Sequence, residues 1–165
     1  MRVDVSELLL EKPEAQVDVE ISLGRQRLSD DLDVASVNGT LHLGRTTEGI
    51  WVRGTLAVAV DLQCVRCLMP VGRELEVELD ERFKLPPIFD EDRGEVYPIE
   101  ADHHIDLEPV LREAVIVATP MRVLCRVNCA GLCPTCGKDL NEGPCDCPTD
   151  YVDPRMVALR ALLDE

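Results

Sequence analysis

The stretch IWVRGTLAVAVDLQCVRCLMPVGRELEVEL, residues 50–79, decides how the chain is read. In its first half Ile50, Val52, Leu56, Val58, Val60 and Leu62 fall on one parity, with the small residues Ala57 and Ala59 on the other. In its second half Val71, Leu75, Val77 and Leu79 alternate with Glu74, Glu76 and Glu78, and Arg73 is the exception on the apolar side. A period of two sends successive side chains to opposite faces, so each half is a half-buried β-strand. Residues 63–70 join them, and the pair is expected to form an antiparallel β-hairpin with Cys64 and Cys67 at its tip.

Working outward, Val17, Val19, Ile21 and Leu23 alternate with polar residues in a strand ended by Gly24. Residues 34–43 carry a further strand pattern, interrupted by Asn38-Gly39, a turn signal that makes this segment a candidate hairpin of its own. Residues 84–105 read as a long connection rich in proline and acid. A helix follows over about 106–119. Asp106 is placed to cap it, Glu108 and Pro109 suit its first turn, and Pro120 stops it. Leu107, Val110, Leu111, Ala114, Val115, Val117 and Ala118 form its apolar face. A last helix is expected from Asp153-Pro154, with Met156, Leu159, Leu162 and Leu163 as its stripe. The expected class is α+β: a mostly antiparallel sheet body, a helix before a Cys-rich zinc module, and a C-terminal helix. The expected division is residues 1–124 for the body, 125–150 for the module and 151–165 for the terminal helix, packed back on the body.

The composition excludes several function classes. At 165 residues with 45 % apolar and 30 % charged residues, the chain can build a core unaided. Aromatics are only 3 %, too few for a base-stacking platform. Seventeen basic residues against thirty-two acidic ones leave −15. Cut at residues 60 and 124, the segments carry −4, −8 and −3, so no segment is basic on its own. Gripping naked RNA through its phosphates needs clustered Lys and Arg, so direct binding of naked RNA is not expected. A basic protein partner suits the field better. The first residues lack the apolar core of a signal peptide, and no stretch nears the roughly 20 apolar residues of a membrane span. The expected location is the cytoplasm, with no membrane partner.

A reducing compartment argues against disulfides for the eight cysteines. They stand as Cys64-x2-Cys67, Cys125-x3-Cys129-x3-Cys133-x2-Cys136 and Cys145-x-Cys147. A two-residue gap lets both thiolates of one tight turn face a single cation. In Cys133-Pro134-Thr135-Cys136-Gly137, Pro fixes φ and Gly permits the positive φ that closes such a turn. Eight thiolates match two closed tetrahedral sites, so two structural zinc ions are expected. Chain economy assigns Cys133, Cys136, Cys145 and Cys147 to a local site resembling a zinc ribbon. Cys64, Cys67, Cys125 and Cys129 then form the other, stapling the helix end to the hairpin tip. Other divisions into two fours, and an iron–sulfur cluster on four thiolates, stay open to the sequence. A redox Cys-x-x-Cys opens a helix after a strand, whereas Cys67 is followed by Leu68-Met69-Pro70 and a strand.

Other chemistry finds little footing. The pair His103-His104 lacks a partner motif and reads as solvated. Asp90-Glu91-Asp92-Arg93-Gly94 misplaces the glycine of a calcium loop. No phosphate-cradling loop or nucleophile elbow is present. With every sulfur in a closed site, no catalytic residue is expected and the chain reads as no enzyme.

The segments Leu62-Gln63-Cys64-Val65-Arg66-Cys67-Leu68-Met69-Pro70 and Cys129 to Glu142, together with Cys145-Asp146-Cys147 and Asp153-Pro154-Arg155, resemble the bacterial and plastid YceD family. Ser6-Glu7-Leu8-Leu9 near the start and the order of parts agree with it. The resemblance implies a role in the synthesis, processing or stability of large-subunit (23S) ribosomal RNA, in a family whose genes tend to neighbour that of a large-subunit ribosomal protein. Some members lack the later cysteines, which makes the second site an elaboration. Charge and resemblance together point to basic ribosomal proteins, or another assembly factor on large-subunit precursors, as partners. The acidic stretch Glu74 to Glu113 is the expected docking surface. The competing reading is a zinc-dependent interaction module or redox-labile regulator unrelated to ribosomes.

Overall fold

The computed structural model describes residues 1–29, 32–88 and 96–148. The expected terminal helix and the Asp90–Gly94 segment lie outside the described residues. The architecture is α+β: one mostly antiparallel sheet with a helix packed on its apolar face, and a separate two-stranded ribbon.

The elements run β1 (Arg2–Asp4), α1 (Ser6–Leu10), β2 (Gln16–Leu23), β3 (Gln26–Ser29), β4 (Leu32–Arg45), β5 (Gly49–Gln63), β6 (Pro70–Lys84), β7 (Tyr97–Pro98), β8 (His104–Asp106) and α2 (Glu108–Ala118). The main sheet has the order β2-β4-β5-β6-β7, with β3 also on β4. The expected hairpin is its centre: β5 and β6 pair antiparallel from Gly49↔Lys84 to Gln63↔Pro70 without a register break. That ladder places Leu56 beside Val77 and sets Glu74, Glu76 and Glu78 against Ala59, Ala57 and Thr55 on the solvent face.

The Asn38-Gly39 segment is not a turn. It sits inside β4, a single strand paired on both sides, with Gly39 opposite Ile21 and Leu56. The glycine answers a close approach: a Cβ at position 39 would lie 2.5 Å from the Thr55 carbonyl oxygen. Tertiary pairing with two flanking strands overrides the local turn signal. Val34 and Val37 are both fully buried although three residues apart, because the β4–β5 register shifts between Val34 and Ser36. A bulge of this kind turns the strand by one face.

The core joins Leu41 and Leu43 of β4, Ile50, Val52, Leu56, Val58 and Val60 of β5, and Val77, Leu79 and Phe83 of β6 to the helix residues Val110, Leu111 and Val115. Helix α2 packs on β6 and β3. It starts two residues later than expected, with Leu107 at its N-cap, yet Asp106 Oδ1 still accepts the Glu108 N–H at 3.0 Å. Val117 leaves the expected apolar face and is 85 % exposed. It lies about a quarter-turn from the line through Leu107, Ala114 and Ala118.

Residues 84–105 are more than a connection. Tyr97-Pro98 runs parallel to the end of β6, and His104–Asp106 pairs antiparallel with Arg2–Asp4. Three-residue strands carry too short an alternation to be read, and their pairing is set by residues about a hundred positions apart. The Leu8-Leu9-Leu10 run forms α1, with Leu8 buried and Ser6 hydrogen-bonded to Asp4 Oδ1 through both its N–H (2.8 Å) and its hydroxyl (2.6 Å). No helix among the described residues is long and apolar enough to cross a membrane.

Candidate metal centre

The β5–β6 turn closes tightly. The Cys64 N–H donates to the Met69 carbonyl (2.9 Å), the Leu68 N–H donates to the Cys64 carbonyl (2.9 Å), and Leu68 takes φ +60°. Both turn cysteines are buried. The segment after α2 crosses this tip: the Val65 N–H bonds the Val123 carbonyl at 2.9 Å, and the Leu132 N–H bonds the Arg66 carbonyl at 3.0 Å. Gly131 takes φ +80°, a conformation L side chains rarely adopt, and a Cβ there would press on the Arg66 carbonyl oxygen at 3.1 Å.

This crossing brings Cys125 and Cys129 to Cys64 and Cys67, and the four Sγ atoms lie within 4.8 Å of one another. Cys64 Sγ is 3.8 Å from Cys129 Sγ, and Cys67 Sγ is 3.6 Å from Cys125 Sγ. A disulfide needs about 2.05 Å, and all eight cysteines are free. A tetrahedron with metal–sulfur bonds of about 2.3 Å separates its sulfurs by about 3.8 Å. The donor set therefore fits a four-coordinate metal ion. Cys64, Cys67 and Cys129 form a small core with Val71, Leu124 and Leu132, separate from the main one.

The second group, Cys133, Cys136, Cys145 and Cys147, likewise holds its Sγ atoms within 4.8 Å of one another. Its first knuckle closes through the Gly137 N–H to the Cys133 carbonyl (2.9 Å) and the Cys133 N–H to the Lys138 carbonyl (2.8 Å), with Gly137 at φ +73°. Leu132 and Asp139 form a one-rung antiparallel bridge under it. Cys133 is buried, Cys136 exposed, and Cys145 and Cys147 half-buried.

Backbone dipoles prepare these sulfurs for charge. The Cys67 N–H holds the Cys64 thiol down to about 6, and the N–H groups of Cys136 and Thr135 hold Cys133 down to about 6. The Met69 N–H pulls Cys67 down, but burial and the sulfurs of Cys64, Cys125 and Cys129 win and push it up to about 12. Cys147 is pushed up to about 12 by Cys136 and then by burial. Burial also raises Cys125. It works against Cys129 too, yet the hydrogen bonds from the Asn141 amide and neighbouring groups leave that thiol below its ordinary value. A cation held among four sulfurs favours the thiolate at each of them.

One contributor has no signature in the cysteine spacing. Asn141, in the loop of the second group, places Nδ2 3.5 Å from Cys129 Sγ and accepts the Ala130 N–H on Oδ1 at 2.8 Å. Arg66 is another: it donates to the Cys129 carbonyl at 2.6 Å. His103 and His104 belong to the β8 turn, where His104 Nδ1 meets the Asp102 carbonyl at 2.9 Å, and neither joins a cysteine group.

A protein-family profile, described as "Large ribosomal RNA subunit accumulation protein YceD", matches residues 52–163. That span contains all eight cysteines and most of the central hairpin. The chain belongs to the YceD family. It is also 34 % identical over 125 residues to an uncharacterised protein of Mycobacterium tuberculosis, covering 74 % of this chain and 60 % of the relative. An uncharacterised protein of Mycobacterium leprae is 32 % identical over 133 residues, covering 78 % and 60 %. The uncharacterised protein YlbN of Bacillus subtilis is 30 % identical over 112 residues, covering 67 % and 64 %. The chain thus spans about three fifths of the length of the curated relatives it matches. No solved structure matches.

Proposed function

We propose that the protein is a non-catalytic, cytoplasmic factor for the accumulation of large-subunit (23S) ribosomal RNA, acting in its synthesis, processing or stability. The observation that carries this reading is the family match over 52–163, which takes in the hairpin and both cysteine groups. Each group is proposed to hold one structural zinc ion, through Cys64, Cys67, Cys125 and Cys129 and through Cys133, Cys136, Cys145 and Cys147. Four thiolates close the coordination sphere, so such an ion supplies folding free energy and leaves no open position for substrate. In this reading residues 125–150 act as a metal module fastened to the 1–124 body by the first site.

The partners proposed are basic ribosomal proteins or an assembly factor on large-subunit precursors. Support comes from the net charge of −15 and from the exposed side chains of Glu74, Glu76 and Glu78 on β6, whose cross-strand neighbours are neutral. The test is depletion in the source cell. Large-subunit rRNA is expected to fall relative to small-subunit rRNA, with restoration by the wild-type chain and not by Cys64→Ser/Cys67→Ser. An unchanged rRNA ratio on depletion contradicts the reading.

A further inference from the structure

Two acid-free runs that are far apart in sequence meet at the hairpin tip. No Asp or Glu occurs between Leu62 and Arg73, nor between Ala114 and Lys138, in a chain with thirty-two acidic residues. The Val65–Val123 and Leu132–Arg66 hydrogen bonds join the two runs. Their cations are Arg66, Arg73, Arg122, Arg126 and Lys138, all exposed, and Lys138 Nζ donates to the Pro144 carbonyl at 2.8 Å. Arg66 and Arg73 each donate to a backbone carbonyl, at Cys129 (2.6 Å) and Leu124 (3.4 Å). The guanidinium groups of Arg122 and Arg126 have no ion-pair or hydrogen-bond partner among the described residues. Between the arginines stand exposed apolar side chains: Leu68 is 59 % exposed, Met69 54 % and Val127 92 %. Exposed apolar groups clustered with arginine mark a contact surface.

We infer that this tip is an RNA-contacting surface, on which the arginines take phosphates and Leu68, Met69 and Val127 lie against base faces of an unpaired segment. The inference rests on the proposed rRNA role and names the surface that meets the RNA. Charge complementarity selects the occupant: the two runs lack acids, the Arg122 and Arg126 guanidiniums, unpaired among the described residues, are forks matched to phosphate, and arginine planes stack on bases. The acidic body does not cancel it. Glu74, the first acid along β6, directly follows Arg73, so Arg73 lies in the field of the acidic strand, whereas Pro70 at the tip stands four residues from Glu74, about 13 Å along the strand. The Debye length at physiological salt is about 8 Å. Asp61, on the adjoining strand, is paired with Arg25 at 3.1 Å. The total of −15 therefore describes the body and not the tip.

The experiment is fluorescence anisotropy of a short labelled single-stranded RNA with the full chain, between 50 and 200 mM salt, with metal content measured on each sample. Binding is expected with a log–log salt slope of about −3 for four phosphate contacts. Arg122→Glu/Arg126→Glu is expected to weaken it at least tenfold and roughly halve the slope with metal content unchanged. Arg122→Gln/Arg126→Gln gives the same direction should the first variant fold poorly. No binding at 50 mM salt, wild-type affinity in a variant with full metal content, or tighter binding of polyglutamate than of RNA overturns the inference, the last pointing to a protein partner. Full rescue of depleted cells by a folded Arg122/Arg126 variant overturns it too and leaves the proposed function standing, whereas an unchanged rRNA ratio on depletion strikes the proposed function itself.

Discussion

Asn141 Nδ2 stands 3.5 Å from Cys129 Sγ, so a side chain from the loop of the second cysteine group reaches into the first. The same amide accepts the Ala130 N–H and donates to Asp139 Oδ1, which fixes its direction. The two groups are therefore coupled through one residue besides the chain between Cys129 and Cys133.

Groups that orient a metal ligand tune affinity by about 10–100-fold. Asn141→Ala is expected to speed metal release from the first group by about tenfold and to leave the second unchanged. Release into a chromophoric chelator, resolved into two phases, measures this. Equal acceleration of both phases, or of neither, contradicts the assignment.

Metal analysis of the purified chain is expected to give about two zinc ions per molecule, and about one in either Cys64→Ser/Cys67→Ser or Cys133→Ser/Cys136→Ser. Chelation is expected to open residues 121–148 to proteolysis while the β4–β6 sheet persists, because the sheet core contains no cysteine. A fully loaded double variant, or iron in place of zinc, contradicts the proposed sites.

Gly39 lies against the Thr55 carbonyl in the middle of the sheet. Gly39→Ala is expected to cost about 2 kcal/mol through backbone strain and displacement of β5. Urea unfolding checks it, and a midpoint unchanged from wild type contradicts the close approach.

Asp106 is held below the usual carboxylate range: burial pushes it up, but the Glu108 N–H and the Met1 amino group at 2.9 Å more than offset this. A carboxyl depressed in the folded state contributes stability that is fully present above its ordinary value near pH 4. That contribution is lost as pH falls through the folded value. Asp106→Asn is expected to destabilise by about 1 kcal/mol at pH 7 and to converge with wild type in strong acid. A constant difference between pH 7 and pH 2 contradicts the linkage.

How much was legible follows from the range of each interaction. The β5–β6 hairpin was readable because fifteen-residue strands carry many repeats of a period of two. Helix α2 was readable from Pro109 and Pro120, though its exposed Val117 was not. The Asn38-Gly39 signal misled because β4 is clamped between β2 and β5, which no local pattern reveals. The β1–β8 ribbon joins residues about a hundred positions apart and had no local trace. The structure gathers Cys64, Cys67, Cys125 and Cys129 in one group and Cys133, Cys136, Cys145 and Cys147 in another, whereas the contact of Asn141 with Cys129 had no trace in the spacing and had to be seen in place. The segment charge totals concealed the arginine-bearing tip, because each acid-free run was summed with the acidic strands beside it.

The central claim is most directly tested by sedimenting native lysate through a gradient and blotting the untagged protein across fractions. The account predicts comigration with large-subunit precursors, lost in Cys64→Ser/Cys67→Ser. Protein confined to the top of the gradient under every salt condition contradicts it.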